Sequence, residues 1–307
     1  MILKFTRLAA FLPVLFAASE AFSCGQGLSM SIGSIPDFSA GGSPTIPVTV
    51  SRKSGKNGNN TCSFFLVIDN GITGTSFTSR QLTFGQQPYP VQFFADSGRT
   101  NIMRPYAAGL PPANVVIGQF NSPGNADAVV NFYPTLDTSL YIANGQYAEV
   151  FGISLYMGDV NSSTFQQTLN GNFTYTNSKK ADLSLVDTGT AFVAADVAQS
   201  LDFGQLASGA QKAFDLILQY NSGYSLSISS ANANRLFNSS TSTYINYGLT
   251  LNSLPRALTV APQVVQTSGG TSPANGLRLP VNVTIGSVTG AKPGNYTDTV
   301  TIVISSN

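Results

Sequence analysis

The chain of 307 residues contains no histidine. Imidazole is the usual general base and the commonest zinc ligand, so Ser/His/Asp and Cys/His catalytic systems and the common zinc sites are excluded together. Charge is scarce too: charged residues are 9% of the sequence, the formal net charge is +1, and cations cluster only in "RKSGK" (52–56) and "KK" (179–180). With no basic stripe, no nucleic-acid partner is expected. Nothing in the sequence calls for a cofactor or a metal. A sustained 3.6-residue apolar period is also missing. The strongest helical candidate, "AADVAQSLDFGQLASGAQKAFDLIL", is interrupted by Gly204 and Gly209 and ends in strict alternation.

No apolar run reaches the roughly 20 residues that a membrane span needs. The opening "MILKFTRLAAFLPVLFAASEAFSC" carries Lys4 and Arg7, then a shorter apolar stretch, then Ala21 and Ser23 at positions −3 and −1 of a cut before Cys24. That order is the layout of a secretory signal peptide over residues 1–23. A membrane anchor, or a lipoprotein acylated at Cys24, are the alternatives. Cysteine is limited to Cys24 and Cys62, which in an oxidising compartment are expected to pair. Two free thiols, or an acyl anchor on Cys24, are the competing readings.

What is abundant is Ser, Thr, Asn and Gly among β-branched residues. Strict alternation recurs in "TIPVTV" (45–50), "AFDLILQY" (213–220), "YSLSISS" (224–230), "LPVNVTIG" (279–286) and "YTDTVTIVIS" (296–305). Turn residues such as "KNGNN", "NSG" and "AKPGN" separate these runs. Many short strands with Gly/Asn/Pro turns predict an all-β sandwich or barrel.

A repeat organises the strands. "GQYAEVFGISL" (145–155) and "GNYTDTVTIVI" (294–304) share Gly-x-Tyr-x-acid followed by alternation, offset by 294 − 145 = 149 residues. "PDFSAGGSPTIPVTV" (36–50) matches "LDFGQLASGAQKAFDLIL" (201–218) in the same order with a small gap. A period this long reads as a domain duplication. The expected organisation is a β domain over 24–176, a linker over 177–182 and a second β domain over 183–307.

The second half, with "SLDFGQLASG", "NSGYSLSISSANANRL", "INYGLTLN", "LPVNVTIG" and "GNYTDTVTIVIS", resembles the spore coat protein U domain, which is also the pilin module of archaic chaperone–usher pili. The first half matches more loosely, through the Gly-x-Tyr-x-acid strand and the early cysteines. The resemblance implies two immunoglobulin-like β-sandwiches in tandem, and two such domains behind one signal peptide look like the tip adhesin of these pili. In the second domain Tyr296, Val300, Ile302 and Ile304 share one face of the last alternating run, and only Ser305, Ser306 and Asn307 follow it. The expectation is therefore an incomplete sandwich whose apolar groove, formed also by Phe214, Leu216 and Leu218, accepts a strand from another protein. The alternative is a second domain that is complete as written. By contrast, "TFQQTLNGNFTYT" (164–176) offers the first domain a closing strand of its own.

What the resemblance further implies is a set of partners: a periplasmic pilus chaperone, an outer-membrane usher, an adjacent pilin that donates the strand, and an abiotic surface or host ligand. The route would run through the periplasm to a fimbrium on the cell surface, in attachment and biofilm formation. A Cys24–Cys62 bridge would tie down the N-terminal end, so that this subunit accepts a strand without donating one. For surface binding, "RPYAAGLPPANVVIG" (104–118) offers Tyr106, Leu110, Val115 and Val116 on Pro/Gly-bounded loops; the opposing expectation is that Val115 to Ile117 form a core strand. A secreted coat or matrix protein is the structural alternative. An aspartic protease is the enzymatic one, from Asp96 in "FFADSGR" and Asp187 in "LSLVDTGTAFVA". That chemistry needs two carboxylates sharing a proton, yet the two fall at unlike positions of the repeat, so no enzyme is expected; Leu183, Leu185, Thr188 and Ala191 to Val193 read instead as the opening strand of the second domain, which Asp187-Thr-Gly interrupts as a turn or bulge.

Overall fold

The computed structural model describes residues 27–40, 43–53, 62–120 and 127–307. The expected signal peptide and Cys24 lie outside them. The described residues are all-β, with two short 3-10 turns (Phe38–Ala40 and Pro112–Asn114) and no α-helix.

Nine strands build the first assembly: β1 (Leu28–Ile32), β2 (Ile46–Arg52), β3 (Cys62–Ile68), β4 (Gln81–Phe84), β5 (Gln87–Phe94), β6 (Val116–Phe120), β7 (Asp127–Leu136), β8 (Gly145–Asp159) and β9 (Ser162–Asn177). They join antiparallel in the order β1-β2-β7-β5-β4-β8-β3-β6, with β9 on β8. Strand β5 folds this sheet over on itself. Its first half, with Pro88 and Pro90, pairs with β4, and its second half, from Val91, crosses to pair with β7. The two inner faces then close on a core that includes Val48, Phe64, Leu66, Phe93, Phe151 and Phe173, all of them buried.

A second assembly follows from β10 (Ala181–Val186), β11 (Gln211–Tyr220), β12 (Tyr224–Ser230), β13 (Arg235–Asn238), β14 (Thr243–Leu251), β15 (Leu254–Arg256), β16 (Gln263–Ser268), β17 (Leu277–Ile285) and β18 (Val300–Ser306). One sheet runs β10-β11-β17-β14-β13 with β15 on β14, and a three-stranded sheet runs β16-β12-β18. No strand of the first assembly pairs with one of the second. The expected linker 177–182 overlaps the last residue of β9 and the first two of β10.

Two sequence expectations shift. The last alternating run enters the sheet only at Val300, because Thr297 is bridged to Phe237 of β13 in the facing sheet and the chain crosses between layers before it joins β12. Strand β11, read as half-buried, is covered on both faces: Asp215 and Ile217 are as buried as Leu216 and Leu218. The cover over Asp215 is the Asp187-Thr-Gly turn. Its carboxylate accepts the Gly189 N–H (2.8 Å) and pairs with Arg278, whose other arm donates to the Thr190 carbonyl (2.6 Å). The turn itself closes through Thr190 N–H to the Asp187 carbonyl at 3.0 Å, with Gly189 at φ +88°. The opening strand is thus Ala181–Val186 alone; the expected continuation through Thr188 and Ala191 to Val193 is not strand, because the Asp187–Thr190 turn ends it.

Candidate functional site

The repeat seen in the sequence is a repeat of local structure. In both copies the Gly-x-Tyr-x-acid tyrosine reaches back four residues: the Tyr147 hydroxyl donates to the Ala143 carbonyl (2.7 Å) and the Tyr296 hydroxyl to the Lys292 carbonyl (2.9 Å). This is a tyrosine corner, which fixes the entry of a sandwich strand. The leading glycines, Gly145 and Gly294, adopt φ +155° and +136°, where a side chain would also strike Phe84 or Asn238. Each acid pins a loop. Glu149 accepts from the Thr73 N–H (3.2 Å) and hydroxyl, while Asp298 accepts from the hydroxyls of Ser230 and Tyr247 (both 2.6 Å) and the Asn232 N–H (3.0 Å). Burial first, then the bond to Asp298, push the Tyr247 hydroxyl well above its ordinary pKa. The Asp-Phe motif repeats as well: Asp37 and Asp202 each accept the N–H two residues on, at 2.9 and 2.8 Å.

The two copies differ in what lies against them. In the first assembly β9 pairs with β8 along its whole length, so Tyr147, Phe151, Ile153 and Leu155 are wholly buried. Phe173 and Tyr175 of β9 point inward, and Phe38 stacks on Phe173 with ring centroids 6.5 Å apart. The counterparts in the second assembly are Tyr296, Val300, Ile302, Ile304 and Phe203, and each is only partly buried. Strand β18 pairs with β12 and with no other strand among the described residues; β10, at the edge of the facing sheet, pairs only with β11. Between them lies a cleft of about 880 Å³. It is lined on one sheet by apolar Leu185, Phe214, Ile245, Leu249 and Val283 and on the other by Val300 and Ile302, while Gln199, Asp202, Gln205, Lys292, Asn295 and Thr297 add polar groups to the lining. Segment 199–206, which carries Leu201, Phe203 and Leu206, lines it without strand pairing. Tyr296 stands at the rim, bonded to the Thr243 hydroxyl at 2.9 Å.

Of the expected groove residues, Phe214, Tyr296, Val300 and Ile302 line this cleft. Leu216 and Leu218 do not. They are wholly buried in the core behind it, and Ile304 packs against that core beyond the cleft wall. The expected groove residues leave out Ile245, Leu249 and Val283 on β14 and β17, and the 199–206 segment, because pairing between strands about 30 or more residues apart leaves no local signal.

Of the four loop candidates, only Tyr106 is exposed. Leu110 and Val115 fold down onto the outer face of the first assembly and bury Phe65, Val67 and Val160 beneath them, and Val116 opens β6 with its side chain in the main core. The core-strand reading of Val115 to Ile117 therefore holds only at Val116: Val115 precedes β6 and packs on the outer face, and Ile117 of β6 is exposed. Asp96 and Asp187 do not form a dyad. Asp96 closes its own loop, accepting from the N–H groups of Thr100 (3.2 Å) and Asn101 (2.7 Å), whereas Asp187 accepts from Gln199 (2.9 Å). Partial burial raises the Asp96 pKa, but those hydrogen bonds outweigh it and hold the carboxyl below its ordinary value.

No known protein-family profile matches the chain, and no curated protein sequence does. Among solved structures, the CsuC–CsuE chaperone–tip adhesion subunit pre-assembly complex from archaic chaperone–usher Csu pili of Acinetobacter baumannii is similar at 14% identity, covering 90% of this chain and 99% of that one, with a TM-score of 0.43. A chaperone–tip adhesin complex of CFA/I fimbriae matches at 12% identity over 79% of this chain and 84% of that one, TM-score 0.37. CfaE, the adhesive subunit of CFA/I fimbria of enterotoxigenic Escherichia coli, matches at 13% over 78% and 81%, TM-score 0.30. Scores this low assign no role.

Proposed function

We propose that this chain is a non-enzymatic tip adhesin of a cell-surface pilus, with two domains (24–176 and 183–307), the second of which accepts a strand in its open cleft. One observation carries this. Equivalent strands, β8 and β18, share the same tyrosine corner, yet β9 pairs along the edge of β8 while β18, among the described residues, pairs with β12 alone. A cleft with apolar side chains from both sheets, bounded by an unpaired strand edge, is a template for a segment with apolar residues at every second position, held by main-chain hydrogen bonds. The donors would be, in turn, a periplasmic chaperone and the neighbouring pilin at the outer-membrane usher. The first domain closes on β9 and so is free to serve attachment, to a host ligand or an abiotic surface, and biofilm formation. A Cys24–Cys62 bridge would fasten the mature N-terminus to β3, where Cys62 is buried, and leave it unable to act as a donor.

The test is a synthetic peptide with the sequence of residues 168–177, which closes the first domain, added to the full chain. Binding only to the native state at a hundred times Kd adds about 2.7 kcal/mol of stability. A rise in the unfolding midpoint of the second domain that saturates with peptide supports the acceptor reading. If neither this peptide nor co-expression with a pilus chaperone changes stability or yield, that reading is wrong.

A further inference from the structure

The outer face of the first assembly carries a row of apolar side chains that the core does not use. Phe65 of β3 is the cross-strand partner of Ile117 in β6 and of Tyr156 in β8, and Tyr156 stands opposite Phe165 of β9. A register shift after Leu155 skips Gln166 and so turns Phe165 onto this outer face instead of the inner one. Tyr106 lies over the row. Its ring stacks on Tyr156 (centroids 4.4 Å, planes 15° apart) and, at 6.2 Å and 21°, on Phe65. Yet Ile117, Phe165 and Tyr106 are 55%, 54% and 44% exposed.

The adjacent row of the same face is polar. Ser63 pairs with Gln119, and Gly158, with no side chain, pairs with Ser163. The Ser163 hydroxyl contacts the Tyr106 hydroxyl at 3.4 Å, and Asp159 accepts from Ser63 at 3.0 Å. A partner that fits both rows presents one flat C–H face to an aromatic plane and a rim of hydroxyls to amide and hydroxyl side chains. A pyranose ring has that shape. The row contains no Lys or Arg, and its one charged group is the Asp159 carboxylate, so the complementary sugar is uncharged.

We propose that this face binds neutral hexopyranose glycans, with Tyr106 as the stacking platform and Gln119 and Ser163 as the hydrogen-bonding rim. The site gives the adhesive reading a ligand class. It lies wholly within the first assembly, so it stands or falls separately from the cleft.

The full chain is run by affinity electrophoresis through gels containing hydroxyethyl cellulose, a neutral galactan or carboxymethyl cellulose. Both neutral polymers are tried because a β-linked glucose or galactose chain offers the required face. Retardation by a neutral polymer, weaker in the carboxylated one, is expected. Tyr106→Ala should weaken it at least tenfold and Tyr106→Phe less than threefold, while Ile72→Ser, at a residue 82% exposed elsewhere, leaves it unchanged. Phe165→Ala is the second variant, and unchanged unfolding midpoints and peptide binding in the cleft show that fold and acceptor are intact. Absence of retardation by either neutral polymer overturns the proposal. So does retardation that survives both Ala variants. Two further results also overturn it: Tyr106→Ala abolishing retention on phenyl-agarose while no neutral glycan retards the chain, or Tyr106→Ala dissolving a dimer seen by light scattering.

Discussion

Ile153 and Ile302 occupy equivalent positions of the repeat, one wholly buried under β9 and the other half-buried at the cleft. Truncating both to alanine therefore measures the missing strand directly. Ile153→Ala removes a close-packed side chain and should cost about 2–5 kcal/mol of stability in the first domain. Ile302→Ala in the bare chain removes a side chain that already meets solvent on one side. It forfeits only part of the roughly 1.5–3 kcal/mol that full burial is worth, and opens no closed cavity, so about 1 kcal/mol is expected. The balance appears only when the cleft is filled. The remaining difference of about 1–4 kcal/mol corresponds to a roughly five- to 700-fold weaker Kd for the 168–177 peptide. Urea titration of each variant gives the first two numbers, and anisotropy of a labelled peptide gives the third. If Ile302→Ala costs the bare chain as much as Ile153→Ala, or if the peptide binds wild type and variant alike, β18 does not border an unfilled strand position.

Other residues give sharper tests of the scaffold. Asp215→Asn keeps the shape but not the charge that holds Arg278 and the Gly189 N–H; since Arg278 is partly solvated, the loss should be about 1–3 kcal/mol, with faster amide exchange across 187–190. Leu110→Ala and Val115→Ala should destabilise the first domain by about 2–5 and 1–3 kcal/mol respectively, without altering attachment of intact fibres, because both side chains are covered. Tyr247 has a folded-state pKa above its unfolded value of about 10, so its contribution is complete below pH ~10 and is lost as pH rises from there toward the folded pKa. Tyr247→Phe should flatten the loss of second-domain stability above pH 10, measured by urea midpoints.

How far the structure was legible in the sequence depends on the range of the interaction. Alternation located β2, β11, β12 and β17 because side-chain direction in a strand is set by immediate neighbours. The repeat of local structure was legible too, since tyrosine corner and Asx turn use partners within four residues. Burial on the second face of β11 was not, because Asp215 is covered by a turn 26 residues upstream and a cation 63 residues downstream. Loop 104–115 misled for a related reason. Its apolar residues look displayed until β3 supplies Phe65 and Val67 for them to cover, and the surface this leaves exposed is assembled from rings on four separate segments. The cleft lies between these limits. Its near wall followed from alternation, its far wall from nothing local, and its shape from a comparison of the two halves. Phe151 is opposed in β9 by Gly171, where an added Cβ would come within 2.8 Å of Phe173 and 3.1 Å of Ile153. At the equivalent place the second domain has Val300, which fills less space. The crowding at Gly171, however, comes from Phe173 of β9 itself, Ile35 and Ile153, and the counterpart of Ile153 in the second half is also an isoleucine, Ile302, so a strand lying against β18 as β9 lies against β8 is expected to carry a small residue opposite Val300.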